Sequence, residues 1–198
     1  MAEPYLTDNA ILAEFRAAEA LLDGHFLLSS GMHSAVYLQC ARVLMDPMRA
    51  ERLAGALAAR IPADVKARAQ AVIAPAMGGL ICGYELARAL GLLSMFVERP
   101  SGTFELRRGF RLAPDTPVIL MEDVVTTGLS SREAIAAIRN AGGDVIHAAA
   151  LVDRSDGGAD LGVPFTPLLR LSAPIYAPDA LPPALAAIPA VKPGSRAA

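Results

Sequence analysis

Val118-Ile119-Leu120-Met121-Glu122-Asp123-Val124-Val125-Thr126-Thr127-Gly128-Leu129-Ser130 is the stretch that decides how this chain folds. Four apolar residues run into two adjacent carboxylates. A short loop of small hydroxyl residues and glycine follows, and Ser130-Ser131-Arg132-Glu133 opens a helical pattern. The run from Val118 to Met121 reads as a strand buried on both faces of a parallel sheet. Glu122 and Asp123 are then expected at its carboxyl end, the rim where open α/β sheets bind ligands. Backbone N–H groups of Thr126 to Ser130, at the mouth of a helix, can point at an anion. Acids beside an anion cradle suit a phosphorylated sugar, whose hydroxyls would face the carboxylates while its phosphate takes the loop.

Outward from this stretch, strands and helices alternate. Towards the N-terminus, Ala71 to Ala74 reads as a buried strand and Pro75-Ala76-Met77-Gly78-Gly79 as a loop. A helix from about Leu80 to Leu90 follows, stopped by Gly91. Leu93 to Val97 is the next strand, and a polar excursion, Glu98 to Gly109, separates it from Val118. Asp46-Pro47 marks a helix start, acid at N-cap and proline at N1, running to about Arg60. Asp8 is expected to cap a helix carried by Ile11, Leu12, Phe15, Ala18 and Leu22 and ending near Gly24. His25 to Leu28 and Val36 to Gln39 read as short strands around Ser29-Ser30-Gly31.

On the other side, a helix from Ser131 to Ala141 precedes a continuous apolar strand, Val145 to Val152. Beyond Asp160 the chain is proline-rich, with an edge strand at Leu168 to Leu171 and a short helix near Ala184 to Ala187. The pattern predicts an α/β fold, a doubly wound and mostly parallel sheet. Residues 1–198 are expected to form one domain, with about 1–45 and the C-terminal tail supplying a small cap.

Hydrophobic residues make up 54% of the chain, yet charges interrupt every long apolar run, so no stretch reaches membrane-span length. Met1-Ala2-Glu3-Pro4 lacks the basic and apolar regions of a signal peptide. Cys40 and Cys82 fall in different apolar elements and read as buried thiols, which fits a reducing cytoplasm. The net charge of −2 and the lack of a broad basic stripe argue against general nucleic-acid binding. Arg99, Arg107, Arg108 and Arg111 do cluster in one segment, whereas Lys66 and Lys192 are the only lysines.

The Glu122-to-Ser130 segment resembles, nearly residue for residue, the phosphoribosyl-pyrophosphate (PRPP) signature of type I phosphoribosyltransferases. The resemblance implies that Glu122 and Asp123 hold the ribose hydroxyls and that Val124, Val125, Thr126, Thr127, Gly128, Leu129 and Ser130 take the rest of PRPP. It also implies that Ala76, Met77, Gly78 and Gly79 contact the pyrophosphate. Two further segments point to the base. Phe26-Leu27-Leu28-Ser29-Ser30-Gly31-Met32-His33-Ser34-Ala35-Val36-Tyr37 looks like the N-terminal signature of orotate phosphoribosyltransferases. Leu151-Val152-Asp153-Arg154 resembles a strand end of that family whose arginine holds the orotate carboxylate. A planar guanidinium grips a carboxylate bidentately, and a purine base offers it none. Ser29, Tyr37, Thr126 and Arg154 are therefore expected to line the orotate site.

The activity so implied is transfer from PRPP to orotate, giving orotidine 5′-monophosphate and pyrophosphate. Mg²⁺ would ride on PRPP, with Asp123 touching it through water at most. A cytoplasmic homodimer with shared active sites completes the expectation. The chain departs from the family in three places. Gly78 stands where many orotate-using members have a lysine, and Ser29 where some have another. The excursion Glu98 to Phe110 contains neither lysine nor histidine, so a closing catalytic cation would have to be Arg99, Arg107 or Arg108. Arginine would stabilise charge without serving as a base. A phosphoribosyltransferase for another base and a non-catalytic PRPP sensor remain as alternatives. A dinucleotide-binding oxidoreductase is disfavoured, because no G-x-G-x-x-G follows any predicted strand.

Overall fold

The computed structural model describes residues 6–28 and 30–192. In chain order its elements are α1 (Asp8–Ala17), β1 (Leu21–Leu27), β2 (His33–Leu38), α2 (Cys40–Leu44), α3 (Pro47–Arg60), α4 (Ala63–Arg68), β3 (Ala71–Pro75), α5 (Gly79–Leu90), β4 (Leu93–Glu98), β5 (Glu105–Leu106), β6 (Thr116–Val125), α6 (Leu129–Asn140), β7 (Gly143–Asp153), β8 (Phe165–Arg170), β9 (Ile175–Tyr176) and α7 (Pro183–Ala186). The six-stranded sheet runs β5-β4-β3-β6-β7-β8. All neighbours in it are parallel except β5, which returns antiparallel along β4. From β3 the chain first steps outward to β4, then crosses back to β6 on the other side of β3. That reversal opens a crevice beyond the carboxyl ends of β3 and β6, the switch point where ligands bind in doubly wound sheets.

Alternation along β6 sets the layers. Ile119 and Met121 join one core with Phe15, Leu53, Leu57 and Leu86 of α1, α3 and α5. Val118 and Leu120 join the opposite core with Ile135 and Ile138 of α6. Helices on both faces explain why this strand is apolar at every position rather than at alternate ones.

A second, three-stranded sheet has the order β1-β2-β9. Its hairpin comes from the N-terminal region, and β9 pairs with His33 and Ser34 from far along the chain. Farther on, Val191 bridges to Phe26 and the Ile188 carbonyl lies 2.7 Å from Nδ1 of His25. Nε2 of His25 lies 2.6 Å from Nδ1 of His33, so the tail, β1 and β2 are tied at one point.

Several boundaries differ from the sequence reading. The first helix ends at Ala17, not near Gly24, and its cap is Thr7, whose Oγ1 accepts from the Ala10 N–H at 3.3 Å. Glu19 turns the chain with φ 51°, and Leu21 and Leu22 then alternate buried and exposed as strand residues. The apolar spacing at Ala18 and Leu22 only imitates a helix. The helices α2 and α4, too short to show a periodicity, were not expected. The α3 start was: Asp46 Oδ1 accepts from the N–H of Met48 at 3.0 Å and of Arg49 at 3.4 Å. The central strand runs on to Val125, so Glu122 and Asp123 lie within it, Glu122 opposite Ala150 of β7.

Candidate active site

Glu122 and Asp123, as successive strand residues, point to opposite faces of the sheet. Glu122 turns towards α6, where it is 5% exposed and accepts a hydrogen bond of 3.0 Å from the hydroxyl of Ser131. Burial pushes its carboxyl up to about 7; the Ser131 hydrogen bond opposes this, the Asp123 charge adds to it, and Arg99 opposes it. Asp123, half-buried, points to the opposite face, where the loop leading into α5 lies. Burial raises its carboxyl too, while N–H groups of Val124 and of Asp123 itself hold it down.

The Pro75-to-Gly79 loop meets Asp123 directly. A Cβ on Gly78 would fall 2.5 Å from Asp123 Oδ2, so any side chain there would displace the carboxylate. At this position, where many family members have a lysine, the Asp123 carboxylate occupies the space beside Gly78. The Ala76–Met77 peptide in this loop is cis.

After β6 the chain turns through Thr126 and Thr127 to Gly128, whose φ of 74° is left-handed. A Cβ there would meet Leu161 Cδ2 at 2.6 Å. The N-cap residue of α6, Gly128, has no side chain to close the helix, and the Leu129 N–H reaches only Thr127 Oγ1, at 3.4 Å. The N–H groups that follow open into a cavity of about 280 Å³ lined by Val124 to Ser131, Arg99 and Glu133. An uncapped helix mouth with a hydroxyl-rich lip is suited to a phosphate.

Arg99 lies on the rim of this cradle. Its guanidinium pairs with Glu133, touches Ser130 Oγ at 3.5 Å and stacks 4.0 Å over the Phe104 ring. The other two candidate arginines are held elsewhere. Arg108 forms a two-pronged pair with Glu98, both bonds at 2.9 Å, and Arg107 lies 3.7 Å from the same carboxylate. The polar excursion, whose arginines were expected to supply a closing cation, is a β4–β5 hairpin in which Arg99, Arg107 and Arg108 all have acidic partners.

A larger cavity of about 840 Å³ lies between the two sheets, lined by Leu27, Leu28, Ser30 and Tyr37 on one side and Thr126, Thr127, Arg154, Ser155 and Ala159 on the other. The register of β6 and β7 puts Arg154 there: Val125 is level with Asp153, and the Arg154 N–H donates to the Val125 carbonyl at 2.8 Å. Neither Asp153 nor Asp156 neutralises it. Asp153 is spent on the N–H and hydroxyl of Ser155 at 2.8 and 2.6 Å and lies 3.6 Å from Arg170. Among the described residues Arg154 has no acidic partner, and its buried Nε has no hydrogen bond. Burial pulls its pKa down, the mark of a cation set in a partly dry place without a counter-charge.

Tyr37 is half-buried at the cavity wall, its hydroxyl on Gln39 at 3.2 Å. Ser29 lies outside the described residues. Cys40 and Cys82 are buried free thiols whose pKa burial raises well above the usual range, so neither offers a nucleophile. His147 is buried in β7 against Thr166, as a structural residue would be. The sequence reading passed over Ser131 and Asp153, which hold Glu122 and the Arg154 turn; only a side-chain contact identifies them.

Paired acids, an uncapped phosphate loop and a switch-point crevice together are the layout of a type I phosphoribosyltransferase, and the phosphoribosyl transferase domain family matches residues 44–161. The orotate phosphoribosyltransferase of Rhizorhabdus wittichii is 70% identical over 193 residues, covering 98% of this chain and 98% of that one. Its counterpart in Novosphingobium aromaticivorans is 69% identical over 192 residues, 97% of this chain and 99% of that one. The chain belongs to the orotate phosphoribosyltransferase family. Among solved structures, the orotate phosphoribosyltransferase of Aeropyrum pernix matches with a TM-score of 0.68 and 28% identity over 81% of this chain and 93% of that one. The adenine phosphoribosyltransferase of Saccharomyces cerevisiae shares the fold alone, with a TM-score of 0.63 at 16% identity over 80% of this chain and 99% of that one.

Proposed function

We propose that the protein transfers the 5-phosphoribosyl group of PRPP to orotate, releasing pyrophosphate and forming orotidine 5′-monophosphate for pyrimidine biosynthesis. The observation that carries the choice of base is Arg154, a guanidinium with no acidic partner among the described residues, in the large cavity beside Thr126. A flat, carboxylate-bearing base would satisfy it, and a purine would leave it unpaired. Relatives at 54–70% identity that are named for orotate support the same choice.

In this reading the α6 mouth binds the 5′-phosphate, and Arg99 on its rim adds positive charge. Asp123 and Glu122 hold the ribose hydroxyls, and the Ala76-to-Gly79 loop faces the pyrophosphate with its backbone. As the bond from C1′ to pyrophosphate loosens, positive charge grows on the ribose beside two carboxylates. The orotate nitrogen then closes on C1′ from the cavity side. The residues orient and stabilise; none forms a covalent intermediate. The adjacent carboxylates Glu122 and Asp123 at the cleft would hold a Mg²⁺ ion that arrives with PRPP, directly or through water. Such an ion supplies charge neutralisation to the leaving pyrophosphate.

We place the enzyme in the cytoplasm as a homodimer. Buried reduced thiols suit that compartment, and no helix among the described residues is long and apolar enough to cross a membrane. The second sheet, with the C-terminal tail locked onto the N-terminal hairpin, serves as a hood of the single domain, roofing the base cavity.

Ultraviolet absorbance of orotate, followed with purified protein, PRPP and Mg²⁺ and with adenine and hypoxanthine in parallel, tests the assignment. Orotate loss that requires both PRPP and Mg²⁺ is expected. Turnover of a purine alone would overturn the base, and PRPP binding without any turnover would favour a sensor.

A further inference from the structure

The phosphate loop and the base-site loop are separate in sequence, yet a single side chain joins them. Arg132, in the first turn of α6, folds back instead of extending into solvent. Its Nη1 donates to the Thr127 carbonyl at 3.1 Å and to the Asp160 carbonyl at 2.8 Å. One guanidinium nitrogen carries two N–H bonds, so both contacts are satisfied at once. Arg132 has no carboxylate partner among the described residues, so these carbonyls are what holds it. The two loops also touch through apolar atoms, for Leu161 fills the space beside Gly128.

The far end of the bridge is not slack. The segment after β7 is wound around Asp153 and Ser155: the Ser155 hydroxyl donates to Asp153 and accepts from the Ala159 N–H at 3.1 Å. Beyond it, Asp160 Oδ1 accepts from the Gly162 N–H at 2.8 Å. These bonds connect the segment that carries the Asp160 carbonyl to the turn that carries Arg154.

We infer that Arg132 is a positioning residue that couples the 5′-phosphate site to the base site, so that filling one tightens the other. The inference rests on the proposed placement of phosphate and orotate. Phosphate drawn onto the Thr127–Ser130 amides fixes the Thr127 carbonyl; through Nη1 this fixes Asp160 and, behind it, Arg154. Coupling of this kind is reciprocal. Two ligands that order the same pair of loops share the ordering cost, and the second to bind meets loops already set.

Ribose 5-phosphate is the probe for the phosphate site, since it lacks the pyrophosphate and cannot turn over. Isothermal titration calorimetry of the full chain would measure orotate binding with and without saturating ribose 5-phosphate. In the wild type the sugar phosphate is expected to tighten orotate on the order of fivefold or more. In Arg132→Ala each ligand alone should bind nearly as before, while the ratio falls to about one, a change that mere loosening of the fold would not produce. Should Arg132→Ala fail to fold, Arg132→Met serves instead: it keeps an apolar stem beside Gly128 but offers no N–H to either carbonyl, and the ratio should again fall to about one. An uncoupled wild type, or full coupling in the variant that folds, would overturn the inference and leave the proposed function standing. If neither ligand binds the wild type, the proposed function fails with it.

Discussion

Glu122 is held where a carboxylate is costly. Its folded-state value of about 7 lies above the ordinary 4.5, so folding takes up a proton between those limits. The stability associated with this group is complete below about pH 4.5 and is lost as pH rises through 7. Glu122→Gln keeps the Ser131 contact and removes the charge. It should therefore raise stability at pH 8 by up to about 3 kcal/mol, and by little at pH 4. Melting temperatures of the two proteins at both pH values check this, and equal shifts at pH 4 and 8 would refute it. Activity should fall in the same variant, the usual trade at a strained site. Arg154 makes the opposite kind of prediction. Arg154→Ala should raise KM for orotate by roughly 10- to 100-fold, as loss of a charge-assisted carboxylate pair does. KM for PRPP should stay nearly unchanged, and steady-state kinetics varying each substrate separate the two. An unmoved orotate KM would remove Arg154 from the base site. Glu122 was legible in the sequence as the acid that ends an apolar run, and Arg154 through the resemblance of Leu151 to Arg154 to a strand end of the family. Their surroundings were not: the Asp123 carboxylate over Gly78 and the Ser155 hold on Asp153 are side-chain contacts with no periodic trace.

Two helices of similar length begin in contrasting ways, and the contrast separates stability from function. The α3 helix is closed by Asp46 on two N–H groups. The α6 helix is left open above Gly128. Asp46→Ala should cost about 1 kcal/mol and a few degrees of Tm with no change in kcat/KM. Gly128→Ala adds a Cβ in a left-handed turn against Leu161 and Arg132, so it should weaken PRPP binding tenfold or more in addition to costing roughly 1–2 kcal/mol. Thermal melts beside kinetics on the two variants decide the matter; a Gly128→Ala enzyme with wild-type KM for PRPP would mean that the loop is not the phosphate site. The anion loop from Thr126 to Ser130 was readable ahead of α6, but the helix start was not: Ser130-Ser131-Arg132-Glu133 has the spacing of a capping box, whereas the helix begins at Leu129 behind Gly128. Nor was the end of α1, because Ala18 and Leu22 fit a helical spacing that the turn at Glu19 cuts. Strand β9 and the Val191 bridge pair across most of the chain, and a window of local pattern carries no sign of so distant a partner.

At the scale of the whole molecule, five large apolar side chains of neighbouring elements stay uncovered among the described residues. Met45, Met48, Met77, Ile81 and Tyr84 are 73, 60, 81, 48 and 60% exposed. They lie on α3 and α5, which pack together, and on the turns leading into them. Large apolar side chains gathered this way mark a protein contact. Met77 gives the position functional weight, because it adjoins Gly78, which lies against the Asp123 carboxylate. A second copy covering this surface would border the pyrophosphate site. Arg107 and Arg108 are engaged with Glu98 of their own chain, so in a dimer any further charge there would come from the second copy. Sedimentation equilibrium should give twice the 20.6 kDa of one chain. Ile81→Glu combined with Tyr84→Glu should give the monomer, since two buried like charges across a symmetric contact repel and lose hydration. If sites are shared, the monomer should keep its fold by circular dichroism but lose tenfold or more in kcat/KM for PRPP, a loss of more than about 1.4 kcal/mol. A monomer with undiminished kcat/KM would mean that each active site is complete within one chain.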